Sequence, residues 1–228
     1  MIFEELNGTE CKSYLIADER CGEAAVVDPL LERVSEVLER LRRGRLNLVW
    51  VIEAHTHADH LSGVRELASL TRARSAGAPA GSVDRPLREG DSLRVGSIEL
   101  SVWSTPGHTA DSLVLRLPDR VLTGDTLLVG ASGRIDLPTG DAANEWESLQ
   151  RLQSLPAETL VFPAHVYGSK VSSTIGEERR ENPRLRMARE EFLRLMTRPR
   201  ADRPRLLDEA LAYNQRPRED SRAAPPVS

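Results

Sequence analysis

Residues 46–63 read LNLVWVIEAHTHADHLSG, and they join an apolar run directly to a loop that is rich in histidine. The run 46–52 contains several β-branched residues and is typical of a buried strand. Loops that follow strand ends commonly carry the chemistry of α/β proteins. We therefore expect a functional site at the end of this strand, formed by His55, His57, Asp59 and His60.

The other histidines stand in similar short motifs further along the chain, which has five histidines in all. His108 lies in TPGHT, His165 lies in FPAH, and Asp125 lies between them in TGDT. No histidine is left for ordinary packing, and a neutral imidazole is a good ligand for zinc or iron. The sequence thus predicts a metal site and leaves open the metal and the number of ions.

The spacing of the candidate ligands indicates two neighbouring metal positions. Alternate residues of an extended chain point the same way, so His55 and His57 are expected to face one ion. Asp59 and His60 are then expected to face an adjacent position. Asp125 is expected either to bridge two ions or to complete the coordination of one.

Length and composition are those of a globular protein with a well-solvated surface. The chain has 228 residues, of which 39% are hydrophobic and 29% are charged, and its net charge is -4. This charge does not favour nucleic acid or an anionic membrane as a partner. No stretch approaches the roughly 20 apolar residues of a membrane span, and no signal peptide is evident, so the expected location is the cytoplasm. Cys11 and Cys21 are expected to be reduced and far from the metal site.

Strands and helices follow one another in an order that favours two sheets with helices outside. The hydrophobic pattern predicts strands near residues 2–6, 13–17, 23–28, 46–52, 92–95, 98–103, 113–117, 120–123 and 159–162, and helices near 30–41, 61–70, 144–155, 177–197 and 204–214. Residues 74–88 are rich in small residues at their start and are expected to form an irregular, mobile edge of the site. We expect one domain over 1–200 and a C-terminal tail over 201–228, disordered from 216 onward.

Six motifs carry a resemblance to a known family: EAHTHADHLSG (53–63), TGDTLLVG (123–130), GRIDLPTG (133–140), FPAHVYG (162–168), STIGEER (173–179) and NPRL (182–185). Over about residues 1–190 the chain resembles the metallo-β-lactamase superfamily. Within it, the third motif and the last two are most similar to persulfide dioxygenases, the sulfur dioxygenases related to the ethylmalonic-encephalopathy protein. The resemblance implies an αββα sandwich, of α/β or α+β type, in which two mixed β-sheets are flanked by helices.

The resemblance also implies one Fe(II) per chain, held by His55, His108 and Asp125. Two histidines and one carboxylate leave open positions for a persulfide sulfur and O2, as in other iron oxygenases. The implied reaction oxidises glutathione persulfide, or a similar low-molecular-weight persulfide, to sulfite and the free thiol. The remaining candidate ligands would then form a second shell or hold a second metal: His57, Asp59, His60 and His165.

Two further residues are predicted to bind the substrate. The guanidinium of Arg134 could grip a glutathione carboxylate, or it could instead pair with Asp136 as a structural contact. Tyr167 is predicted to line the same pocket. Val166 stands where the family commonly has an acidic residue, so the pocket is expected to be less polar at this position.

The main alternative is a dinuclear zinc enzyme that hydrolyses glutathione thioesters, a glyoxalase II. Such enzymes usually carry a longer helical C-terminal domain, and the NPRL segment points away from that class. A sulfur-transferring partner such as a rhodanese, or a sulfide:quinone oxidoreductase, is expected to be a separate protein. The apolar residues around Phe192 are compatible with a homodimer or with core packing.

Overall fold

Two six-stranded mixed sheets pack face to face in the computed structural model, which describes residues 1–8, 11–78, 82–168 and 170–217. The strands of the first sheet lie in chain order: β1 (Ile2–Glu5), β2 (Tyr14–Ala17), β3 (Glu23–Val27), β4 (Asn47–Glu53), β5 (Arg74–Gly77) and β6 (Arg85–Pro86). Strands β1 to β3 are antiparallel, and β3 to β6 are parallel.

The second sheet has the order β14-β13-β10-β9-β8-β7. Its strands are β7 (Ser92–Val95), β8 (Ile98–Ser104), β9 (Leu113–Arg116), β10 (Arg120–Gly124), β13 (Leu160–Pro163) and β14 (Ser173–Thr174). Only the pair β10 and β13 is parallel among these described strands. A separate hairpin of β11 (Leu127–Leu128) and β12 (Ala131–Ser132) follows β10.

Seven α-helices occur in the described residues: α1 (Val34–Gly44), α2 (Val64–Thr71), α3 (Ala142–Gln153), α4 (Ile175–Glu181), α5 (Pro183–Arg186), α6 (Arg189–Met196) and α7 (Leu207–Asn214). A 3-10 helix over Leu31–Arg33 precedes α1. Helices α1 and α2 cover the outer face of the first sheet, and α3 to α6 cover that of the second. None of the described helices is long and apolar enough to cross a bilayer.

Burial on both faces of the sheets explains why several strands read as continuous apolar runs. In β2, Tyr14 and Ile16 face the core between the sheets, whereas Leu15 and Ala17 face α1 and α2. The predicted αββα sandwich of two mixed sheets flanked by helices is therefore confirmed.

The prediction of an irregular edge over residues 74–88 is wrong, because β5 and β6 lie there. Strand β5 pairs with β4 and β6 in parallel, and Ala76 is completely buried. A Cβ on Gly77 would lie 1.9 Å from the backbone oxygen of Glu53. Small residues are thus required here by close backbone approach rather than by irregular structure. Residues 79–81 lie outside the described residues.

The helical stretch predicted over residues 177–197 is helical in the structure, but it is divided into three helices, α4 to α6. Helix α4 begins with a capping box between Thr174 and Glu177. Pro183 stands at the first turn of α5, where the missing N–H of proline costs nothing, but it cannot continue α4. Ala188 is extended and separates α5 from α6.

The C-terminal helix agrees with its prediction. Helix α7 lies within the predicted span 204–214. Of the segment expected to be disordered, residues 218–228 lie outside the described residues. The boundary predicted between a domain over 1–200 and a tail over 201–228 stays a prediction.

Candidate metal centre

All the candidate ligands lie at one edge of the sandwich, where four strands end. Strand β4 leads into the loop of His55, and β8 leads into the loop of His108. Asp125 follows β10, and His165 follows β13. Because β10 and β13 are parallel neighbours, their carboxyl ends bring Asp125 and His165 together.

His55, His108 and Asp125 form one buried cluster whose ligand atoms lie within 4.8 Å of one another. Asp125 Oδ2 lies 3.9 Å from Nε2 of His55 and 3.5 Å from Nε2 of His108. These distances are too long for hydrogen bonds. They suit atoms that share one ion at about 2.1 Å each.

Backbone contacts orient His108 for metal binding. Its Nδ1–H donates to the carbonyl oxygen of Arg134 at 2.7 Å, which leaves the Nε2 lone pair facing Asp125. Metal-binding histidines are commonly held in this way by an acceptor on the second ring nitrogen. The predicted motif GRIDLPTG thus contributes a backbone oxygen to the site.

Electrostatics keep the three side chains in the protonation states that a metal requires. Burial lowers the pKa of His55 and that of His108, so both rings are neutral. Burial would raise the pKa of Asp125, but the charge and hydrogen bond of His165 outweigh it and lower that pKa. Two neutral imidazoles and one carboxylate are a donor set that fits Fe(II).

A second cluster lies beside the first and consists of Cys11, Asp59, His60 and His165. Nδ1 of His165 lies 2.7 Å from Asp125 Oδ1, and its Nε2 lies 2.8 Å from Asp59 Oδ2. Burial would lower the pKa of His165, but the two carboxylates outweigh it and raise that pKa well above its usual value. His165 therefore links the two clusters through its two ring nitrogens.

Cys11 belongs to this second cluster, so the expectation that it lies far from the site is wrong. Its Sγ lies 3.4 Å from Asp59 Oδ2 and 3.4 Å from His165 Nε2. An isolated antiparallel bridge between Cys11 and His165 sets this contact, across 154 residues of sequence. Cys21 is exposed elsewhere, and the two cysteines form no disulfide with each other.

His57 forms a third group with Asp28 and Glu53, and its ring lies 4.1 Å from that of His55 between centroids. Its Nε2 lies 3.1 Å from Glu53 Oε1 and 3.4 Å from Asp28 Oδ1. The chain bends after Glu53 and is not extended through His57. An ion shared by His55 and His57 stays a prediction. Burial would lower the pKa of His57, but its contacts with the two carboxylates outweigh it and raise that pKa well above its usual value.

Asn214 on α7 supports the histidine-rich loop, and sequence reasoning missed it. Its Nδ2 donates to the carbonyl oxygens of His57 and His60, each at 2.9 Å. Its Oδ1 accepts from the backbone N–H of Ser62 at 2.9 Å. No local signal reveals this role, because more than 150 residues separate the partners.

Glu145 on α3 was missed as well and supports the loop of His108. It is completely buried, and its Oε2 accepts from the backbone N–H of His108 at 2.8 Å. Its Oε1 has no hydrogen-bond partner among the described residues. Burial raises the pKa of Glu145 well above its usual value.

Replacing Glu145 with Ala is expected to lower the free energy of unfolding by about 1–3 kcal/mol, because a buried N–H loses its acceptor. Glu145→Gln keeps an acceptor oxygen in nearly the same shape, so it is expected to stay within about 1 kcal/mol of the wild type. Urea unfolding of the three proteins measures both effects. Equal losses in the two variants would contradict this role.

The predicted substrate-binding residues lie near the site. Arg134 Nε and Nη2 each donate to a carboxylate oxygen of Asp136 at 2.7 Å, and Nη2 also donates to the carbonyl of Asp202 at 2.6 Å. Arg134 therefore forms the structural pair with Asp136, which is one of the two roles predicted for it. The Tyr167 ring stacks on that of His165 at 5.8 Å between centroids, and Tyr167 is 71% exposed. Val166 is buried.

The sandwich and its strand-end ligands define a metal-site protein of αββα architecture. The family model described as the metallo-beta-lactamase superfamily matches residues 6–82 and 74–165, and the chain belongs to this superfamily, as the motifs predict.

Three proteins of this superfamily show what the chain is similar to. The mouse mitochondrial protein named persulfide dioxygenase ETHE1 is 35% identical over 90% of this chain and 83% of its own. The crystal structure of ETHE1 from Myxococcus xanthus has a TM-score of 0.91 and 41% identity, over 94% of this chain and 98% of that one. A hydroxyacylglutathione hydrolase of Cereibacter sphaeroides is 37% identical, over 69% of this chain and 63% of its own. The predicted similarity to persulfide dioxygenases is confirmed.

Proposed function

We propose that the protein is a non-haem Fe(II) persulfide dioxygenase. It oxidises glutathione persulfide, or a similar low-molecular-weight persulfide, with O2 to sulfite and the free thiol. The observation that carries the proposal is the buried set of His55, His108 and Asp125, in which two neutral imidazoles converge on one carboxylate oxygen. The similarity to proteins named persulfide dioxygenase supports it.

The reaction balances with one water molecule: RSSH + O2 + H2O gives RSH + SO3²⁻ + 2H⁺. The S–S bond breaks, the outer sulfur is oxidised, and O2 takes up four electrons. One Fe(II) held by His55, His108 and Asp125 would supply the redox chemistry that zinc lacks.

The surrounding side chains hold the ligands and the protons in place. Nδ1 of His165 binds both oxygens of Asp125, at 2.7 and 2.9 Å, and so fixes the orientation of this carboxylate. In our proposal His57, Asp59, His60 and His165 are second-shell residues rather than iron ligands. The contact of His165 Nε2 with Asp59 Oδ2, at 2.8 Å, holds the ring of His165 between the two carboxylates.

Substrate contacts are part of the proposal. Tyr167 stands at the exposed side of His165 and can contact a bound persulfide there. For Arg134 to anchor a carboxylate, it would have to share its guanidinium with Asp136.

Thioester hydrolysis by two zinc ions is the second candidate function, and two observations favour it. Asp59, His60, His165 and Cys11 form a second cluster of ligand atoms beside the first. A relative at 37% identity is named hydroxyacylglutathione hydrolase. In that reaction a hydroxide held between two metals would attack the thioester carbonyl.

Metal analysis separates the two candidates. Protein purified without added metal is expected to contain about one iron per chain, because His55, His108 and Asp125 form a buried donor set that suits iron. The second cluster also has two histidines and a carboxylate, but both ring nitrogens of His165 already contact carboxylates. Elemental analysis on a folded, monodisperse sample measures this directly. Two zinc ions per chain and no iron would contradict the proposal and favour the hydrolase.

The cytoplasmic location, the homodimer and the separate sulfur-transferring partner stay predictions from the sequence. Size-exclusion chromatography with light scattering tests the homodimer.

A further inference from the structure

A cavity of about 990 Å³ lies among helix α2, strand β5 and the segment that follows α7. Four arginines from these three parts of the chain line it: Arg65 on α2, Arg72 directly after that helix, Arg74 at the start of β5, and Arg216 after α7. Asp84 is the one acidic residue in the described part of the lining, which therefore has a formal charge of +3. None of the candidate metal ligands lines this cavity, so it is separate from the metal centre.

Ion pairs do not compensate the positive charge of this cavity. Within the part of the chain that the structure describes, every ion pair of an arginine involves an arginine elsewhere in the fold. Asp84 directs its Oδ2 at Ser75, whose backbone N–H and hydroxyl donate to it at 2.9 Å each. A concave surface lined by charges of one sign concentrates the opposite charge, so the cavity favours an anion.

Arg65 gives the clearest indication of a missing anion. Its Nη2 is buried and has no hydrogen-bond partner among the described residues. Arg65 is also the second residue of α2, where the positive end of the helix dipole disfavours a cation. Neither its hydrogen bonds nor the helix dipole explains the position of this guanidinium, whereas a bound anion would supply the acceptor that it lacks.

Two of the arginines are held in place by aromatic rings. The guanidinium of Arg74 lies over the ring of Trp50 at 4.9 Å from its centroid, and that of Arg216 lies over the ring of Tyr213 at 4.8 Å. The hydroxyl of Ser82 donates to the backbone oxygen of Arg216 at 2.9 Å, which attaches the segment after α7 to the cavity wall. Side chains that are positioned in advance lose less freedom when they bind a ligand.

The size and the charge of the cavity indicate a small, densely charged ligand. Its volume of about 990 Å³ is at the upper end of the range of small-molecule sites, about 300–1,000 Å³. Arg65 and Arg72 are separated by about 10 Å along the axis of α2, so the positive charge extends along the cavity. Guanidinium groups bind phosphate through two parallel hydrogen bonds, and a terminal phosphate offers three acceptor oxygens. The net charge of -4 disfavours a long nucleic acid.

We propose that this cavity binds the phosphate chain of a linear triphosphate, either inorganic triphosphate or a nucleoside triphosphate. The proposal is independent of the proposed function, because the cavity and the metal centre share no described residue. Inorganic triphosphate is expected to bind at least about tenfold more tightly than citrate, because a phosphate offers more acceptor oxygens to the guanidinium groups than a carboxylate does.

Isothermal titration calorimetry with inorganic triphosphate, ATP and citrate, in a buffer without magnesium, tests the proposal. Arg65→Gln and Arg216→Gln each remove one charge and its donors, and each is expected to weaken the binding of inorganic triphosphate by about tenfold or more. Arg216 is exposed after α7, so its replacement is expected to leave the fold intact. Arg189→Gln is the matched control, because Arg189 is exposed on α6, beside the other sheet, and is expected to leave the affinity unchanged.

Triphosphates also bind metal ions, so a further variant separates the cavity from the metal centre. Asp125→Ala is expected to lose its iron and still to bind inorganic triphosphate as tightly as the wild type. Binding that is lost in Asp125→Ala and retained in the two arginine variants would place the ligand at the metal centre and overturn the proposal.

The remaining outcomes are equally distinct. Wild-type affinity for inorganic triphosphate in both Arg65→Gln and Arg216→Gln would overturn the proposal, and so would citrate that binds as tightly as triphosphate. Weaker binding in both variants, with the control unchanged, would support it. Tighter binding of ATP than of inorganic triphosphate would then identify a nucleotide as the ligand, and equal affinities would identify the phosphate chain alone.

Discussion

Replacing Asp125 with Ala is expected to remove iron from the protein and to lower the rate of persulfide oxidation by at least about a hundredfold. Asp125 is the carboxylate on which Nε2 of His55 and Nε2 of His108 converge. Loss of a residue that supports a metal ligand lowers metal affinity or activity by about 10–100-fold. Loss of the ligand itself is therefore expected to lower them further. Elemental analysis and oxygen uptake on the folded variant measure the two effects.

A matched variant separates the site from a general loss of acidic residues. Asp119 lies in the turn between β9 and β10, and its side chain is 55% exposed and paired with Arg120. Asp119→Ala is expected to keep its iron and its rate. Iron retained in Asp125→Ala at the wild-type level would refute the ligand assignment.

Gly133 is not itself a ligand, but replacing it with Ala is expected to displace two of the ligands. A Cβ on Gly133 would lie 2.1 Å from the backbone oxygen of Asp125 and 2.9 Å from Nδ1 of His108. Both ligands would have to move, which costs about 1–3 kcal/mol of stability for an overpacked site. We expect a loss of iron and a fall in oxidation rate of at least about tenfold.

The matched control for this change is Gly168→Ala. Gly168 follows Tyr167 near the same site, and a Cβ there would meet nothing within 4 Å. It is expected to behave like the wild type in iron content and in thermal unfolding. If Gly133→Ala keeps full iron content and full rate, the close packing of this segment against the ligands is not needed for function.

Much of the fold follows from periodic patterns that act locally. The apolar run 46–52 predicts β4 (Asn47–Glu53) to within one residue, because a strand buried on both faces needs continuous apolar side chains. Helix α1 follows from the apolar face that buries Val34, Val37 and Leu41. The loop ligands lie after strand ends, as expected for a site built on such a scaffold.

Features that depend on distant backbone contacts were not predictable from these patterns. Position 77 in β5 requires glycine because the backbone of β4 lies against it. A periodic hydrophobic pattern does not indicate such a contact. His57 faces Asp28 and Glu53 because the loop bends, whereas sequence spacing alone suggests an extended chain.

The supporting residues of the site were missed for a related reason. Cys11 reaches His165 through the pairing of segments that are far apart in sequence. Glu145 and Asn214 each resemble an ordinary polar residue on a helix surface until packing buries them against the loops. Their roles arise from tertiary contacts, which a single sequence does not encode in any local pattern.

The most direct test of the central claim is the joint measurement of oxygen consumption and sulfite formation with a low-molecular-weight persulfide and iron-loaded protein. We expect O2 to be consumed and sulfite to be formed in equal amounts. Hydrolysis of a glutathione thioester by the same protein, with no oxygen consumed and no sulfite formed from any persulfide, would contradict it.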